Sequence, residues 1–130
     1  MDILAKVRSD ILVVISKMSF FRQEGDMSNY KTLSDSLLIL SGMHRKHLIN
    51  SESDAGNFFN TVHVKLTDEI VLISRGMEKT IDNADTRMYR DMLISLDKLT
   101  NVRSMLTSDF ERMRHQKRLP QNDAYRGRLV

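Results

Sequence analysis

The chain has 130 residues, 41% apolar and 28% charged, with one proline, five glycines, no cysteine and a net charge of +3. That length suits one domain with a modest core, and the missing cysteines exclude disulfides, thiolate catalysis and cysteine-bound zinc. The charge is uneven: residues 112–130 hold six basic side chains and one acid, while residues 1–111 hold 14 basic and 16 acidic ones, a nearly neutral body with a cationic end. A nucleic-acid module would carry its basic residues along a whole face.

Helix one is predicted from about Asp2 to Gln23. Met1-Asp2-Ile3-Leu4 lacks the basic start and small-residue cleavage site of a secretory signal. The densest apolar run, Ile11 to Ile15, is far short of the roughly 20 residues of a membrane span, so a cytoplasmic protein is expected. Leu4, Val7, Ile11, Val14, Met18 and Phe21 alternate by three and four, as on the seam of a coiled-coil-like pair. Ile3, Leu12, Val13, Ile15 and Phe20 widen the stripe to bundle width.

Gly25 suits the left-handed position after a helix, and Asp26 or Ser28 can cap the next one. Helix two is predicted over Ser28 to Ile49, antiparallel to helix one, with Tyr30, Leu33, Leu37, Leu40 and Met43 inward. Residues 50–57 read as a loop. Helix three follows from about Asn57 to Ile81 on Phe59, Val62, Leu66, Ile70, Ile73, Met77 and Ile81, with Gly76 inside it. Asp85 or Thr86 is expected to cap a fourth helix after a turn, since four helices bury all four stripes.

Helix four is the longest, predicted from Thr86 to Lys117, about 45 Å at 1.5 Å per residue. Met88, Met92, Leu96, Leu99, Val102, Leu106, Phe110 and Met113 share one stripe. Pro120 is expected to end it, separating a bundle of residues 1–118 from a flexible basic tail of residues 119–130. The expected fold is all-α, an antiparallel bundle of three to four helices. The rod should outrun its neighbours, leaving Leu106, Phe110 and Met113 for a partner helix or for the tail. Met92, Leu96, Leu99, Leu106, Phe110 and Met113 are therefore candidate partner-binding residues. Leu119, Tyr125, Arg126 and Arg128 are candidates for a lid. The nine methionines suit either flexible core filling or an adaptable helix-binding surface.

Catalytic signals are absent from the pattern. His44 and His47 lie three apart without a carboxylate at the next turn, so no metal site is expected, and they read as solvated residues near a helix end. Ser34, Ser36 and Ser41 belong to no nucleophile motif, and no glycine-rich phosphate loop occurs. Asp68, Glu69, Asp82 and Asp85 read as solvated helix and cap residues. The expectation is a protein-binding protein, without cofactor and not an enzyme.

The tail from Gln116 to Leu129 resembles the carboxyl end of the FliT-like flagellar type III export chaperones. Gln116, Lys117, Leu119, Asn122, Ala124, Tyr125, Gly127, Arg128 and Leu129 match, while Pro120, Gln121 and Arg126 depart. Gly25-Asp26-Met27 followed by Leu33 echoes the same family's first turn. The resemblance covers about a quarter of the chain. It implies a helical bundle that binds the carboxyl-terminal helical part of a filament-cap subunit and delivers it to the export machinery. The FlgN-like chaperones end similarly, which leaves a hook-associated client open. The contending expectations are a helical adaptor dimerising through the helix-four stripe, and a small nucleic-acid-binding accessory protein.

Overall fold

The computed structural model describes residues 2–48 and 56–129, with side chains as far as Arg114. The described residues form four helices and no strand: α1 (Ile3–Gln23), α2 (Met27–Leu48), α3 (Gly56–Asp82) and α4 (Thr86–Leu129). The fold is an all-α helical bundle.

Local signals place the helix ends. Asp2 caps α1, its carboxylate accepting from the amides of Leu4 and Ala5 at 3.0 and 3.3 Å. Gly25 takes φ +74°, and Asp26 then caps α2 by accepting from the Asn29 amide at 3.1 Å. Between α3 and α4 the chain reverses through Ala84, at φ 55°, and Asp85 accepts from the Met88 amide at 3.0 Å. A non-glycine residue in that region is uncommon and costs about 1 kcal/mol, so the turn is held by its cap and by packing. The loop predicted over residues 50–57 lies mostly outside the described residues, and Gly56 and Asn57 already belong to α3.

The helices make two antiparallel hairpins, α1–α2 and α3–α4, which join along α2 and α4. Lys31 pairs with Asp91, Asp35 with Lys98 and Arg45 with Asp109, so α2 and α4 run parallel. Arg8 over Phe58 and Arg22 on Glu69 set α1 parallel to α3, where contact is thinnest. The core seats Ile11, Met18, Tyr30, Leu37, Leu66, Ile73, Leu99 and Val102, all buried. Gly76 has a local reason: a Cβ there would come within 3.0 Å of the Met92 methyl, so the missing side chain lets α4 approach.

Several sequence expectations are corrected. The heptad reading put Val14 and Phe21 inward, but Ile15 is buried and those two are only half-buried. A straight helix repeats every 3.6 residues, so its buried line drifts off a seven-residue pattern. In α2 the inward place goes to His44, while Met43 is exposed. Leu33, Leu40 and Ile70 are half-buried. In α3, Ile81 is exposed at the end, where the chain turns away. The backbone of α4 stays helical through Pro120 to Leu129, past the helix end expected at Lys117. Proline fixes φ near the helical value, so it can be accommodated at the loss of one backbone bond, the one the Gln116 carbonyl would accept.

Replacing Leu37, fully buried between the hairpins, with alanine should cost about 2–5 kcal/mol in denaturant unfolding. Replacing exposed Val13 in the same way should change stability by less than about 0.5 kcal/mol.

Candidate functional site

Two polar clusters tie the helices together. At one end Glu69 of α3 is buried and accepts both guanidinium bonds of Arg22 from α1, at 2.9 and 3.1 Å. The Tyr30 hydroxyl of α2 donates to the same carboxylate at 3.0 Å. Burial, and then the nearby Glu69 charge, raise the tyrosine well above its ordinary pKa, so it stays a donor. The bond to Glu69 likewise raises Arg22, against burial. The sequence reading put Glu69 in solvent. Its position on the inward line of α3, four before Ile73, is the signal that could have found it.

At the other end His44, Arg45, Asp109 and Arg8 meet. Arg8 Nε donates to His44 Nε2 at 3.1 Å, so the ring proton sits on Nδ1, 4.0 Å from Asp109 Oδ2. Arg45 Nε donates to Asp109 Oδ1 at 2.8 Å and its Nη2 to the Met105 carbonyl at 3.3 Å. Both His44 and Asp109 are fully buried, so the expectation of a solvated His44 is overturned. The imidazole stacks on Phe58 at 5.3 Å and meets Phe59 edge-on at 5.6 Å, packing that holds it inside. Burial alone would raise the Asp109 pKa, but the His44 N–H and the Arg45 guanidinium outweigh it and hold the carboxyl below its ordinary value. Burial lowers Arg8, against the opposing pull of Asp2. These contacts join α1, α2 and α4, and among the described residues no group of three or more possible ligands could hold a metal ion.

The candidate partner-binding residues of α4 lie in the core. Met92, Leu99, Leu106 and Met113 are buried, and Leu96 and Phe110 are half-buried against the same cluster. The distal turns do have internal partners. Phe110 meets Phe59 with ring centroids 4.9 Å apart, and α2 reaches Asp109 through Arg45. The rod is covered because α2 runs parallel beside it while α3 returns antiparallel, and together they span it to Met113. The lid candidates Leu119, Tyr125, Arg126 and Arg128 fall outside the described side chains. Their backbone continues α4.

Exposed apolar residues occur on every helix, Ile39, Val64 and Leu93 among them, and on α1 they line a groove. Val13 and Phe20, seven residues apart, are 48% and 56% exposed. They line a groove of about 760 Å³ with Leu12, Phe21 and Leu33, bordered by Ser9, Ser16 and Lys17. Phe20 packs edge-on against Phe21, with ring centroids 5.6 Å apart. The sequence reading counted Val13 and Phe20 as a widening of the buried stripe. Only the pairing of helices tells which flank of a broad stripe is left out.

Comparison with protein-family models, with curated proteins and with solved structures finds no match. Among the described residues no helix is long and apolar enough to cross a membrane.

Asp109 supplies a pH test. Its depressed folded value contributes stability that is present above the ordinary 3.8 and fades as pH falls through the lower folded value. Asp109→Asn should melt lower than the native chain at pH 6, with the gap narrowing as pH drops below about 3.8. A gap that stays constant to pH 2 would remove the carboxylate charge from the explanation.

Proposed function

We propose that this chain is a non-enzymatic, cytoplasmic export chaperone that holds an amphipathic helix of a flagellar type III substrate soluble before its delivery to the export machinery. The observation that carries the reading is the exposed apolar groove on α1. Val13 and Phe20 sit one heptad apart, a spacing suited to knobs of a docked helix. The groove runs from Ser9 to Phe21, about 18 Å along the axis, long enough to engage three turns of a partner. Lys17, at the border, is in no ion pair among the described residues, which favours a partner helix with an acidic flank. The tail resemblance points the same way, toward the carboxyl-terminal helix of a filament-cap subunit, with a hook-associated subunit as the other client.

This places the binding surface on α1 rather than on the α4 stripe. A client or a second copy gripping Met92, Leu99 or Leu106 would have to unpack the core first. A dimeric adaptor is the second reading, and the α1 groove would then cover a second copy. The cationic end gives a nucleic-acid reading less support, since a single tyrosine accompanies it and stacking platforms use several aromatics.

Calorimetric titration with purified carboxyl-terminal fragments of filament-cap and hook-associated subunits tests the proposal. One fragment should bind with little dependence on salt, because the contact is apolar. Val13→Glu combined with Phe20→Glu should weaken it about 100-fold without lowering the melting temperature. Unchanged binding by that variant would move the site elsewhere. No binding by any fragment, with mass rising to a dimer at working concentration, would favour the adaptor.

A further inference from the structure

A second concavity lies on the other hairpin, in the outer seam between α3 and α4. Its floor is Phe59, Val62 and Leu66 from α3 with Leu106 and Phe110 from α4, and its volume is about 80 Å³. Arg103 borders it from α4 and His63 from α3, and beside it the Arg114 guanidinium carbon lies 5.6 Å from the Phe110 ring centroid. No carboxylate lines it.

Arg22, Lys31, Arg45 and Lys98 each reach a carboxylate on another helix. Arg103, like Lys17 and Arg114, has none among the described residues, and it stands at the edge of this pocket. Arg103 is half-buried and makes one long contact, Nη1 to Thr67 Oγ1 at 3.4 Å, with no ion pair among the described residues. Positions three and four away on α4 are Leu99, Thr100, Leu106 and Thr107, so no acid on its own helix neutralises it. A planar guanidinium with free donors beside an apolar floor matches a carboxylate borne on an apolar body. The two N–H bonds fix the head while the floor takes the body.

We propose that the α3–α4 pocket is a binding site for small hydrophobic monocarboxylates, aryl or short-chain alkyl acids. The apolar group enters between Phe59, Leu66 and Leu106, and the carboxylate is held by Arg103 with His63 at the opposite rim. A free small molecule fits better than a docked helix. The pocket has room for one ring or branched chain, and its surround of Asn60, His63 and Thr107 is polar, unlike the extended apolar groove on α1. The site is independent of the client groove and stands on the opposite hairpin.

The test uses 4-phenylbutyrate and its neutral analogue 4-phenylbutanamide, titrated into the full-length chain and followed by amide and methyl NMR shifts. The acid should saturate with a dissociation constant on the order of 1 mM, as for a fragment of this size. Its shifts should cluster at residues 59–67 and 103–110. The amide should bind about tenfold more weakly, and raising salt to about 0.5 M should weaken the acid alone. Arg103→Gln, checked for an unchanged melting temperature, should also lose about tenfold for the acid and nothing for the amide. Equal affinity for acid and amide on the native chain overturns the proposal whether or not the variant folds. So do shifts centred on α1, or full affinity retained by Arg103→Gln.

Discussion

Covering α4 is the constraint on which the rest of the molecule depends. Its stripe from Met92 to Met113 is too long for a single short partner, and it is buried only because α2 and α3 lie along it from two sides. Three ion pairs fix the register on the α2 side, Lys31–Asp91, Asp35–Lys98 and Arg45–Asp109. Exposed pairs such as Asp35–Lys98 are weak individually, whereas the buried Asp109 makes any slip costly, because sliding would strand its charge in the core. With α2 committed to α4, α1 is left with one full neighbour. Its thin contact with α3 includes Arg22 on Glu69 and Arg8 over Phe58.

The surface that results is unlike the one the longest helix suggests. An apolar stripe is most conspicuous on α4, yet an uncovered stripe of that length would be an aggregation hazard, and the fold removes it. The smaller stripe of α1 is wide enough to feed the core with Leu4, Val7, Ile11, Ile15 and Met18 and still leave Val13 and Phe20 outside. Keeping two such residues one heptad apart on the surface lowers solubility unless something covers them. The functional proposal supplies that cover.

Much of the architecture was legible in the chain. Four periodic stripes, the Gly25-Asp26 break and the Asp85 cap locate every helix start, and the ends of α1 to α3, to within a residue or two, because capping and hydrophobic period are local signals. The buried polar residues were not legible. Glu69, His44 and Asp109 carry solvated-looking side chains, and only partners 36 to 65 residues away, such as Arg22, Arg8 and Arg45, make them tolerable inside. The exposure of Val13 and Phe20 was not legible for the same kind of reason. Which side of a broad stripe faces a neighbour is decided by how hairpins pair, and that is a long-range property. The proline in α4 misled in the other direction, since its preference to end helices is statistical and its φ is compatible with one.

A chain without cysteine allows the exposure pattern to be read directly. Single cysteines placed at Val13, Phe20, Leu99 and Leu106 would be labelled with a thiol reagent under native conditions, each rate divided by that of the unfolded chain. The account expects Val13→Cys and Phe20→Cys to react within about tenfold of the unfolded rate. It expects Leu99→Cys and Leu106→Cys to be slowed by about a thousandfold or more, since they react only on opening. Fast labelling on α4 together with protection on α1 would contradict it, and would return the binding surface to the long helix.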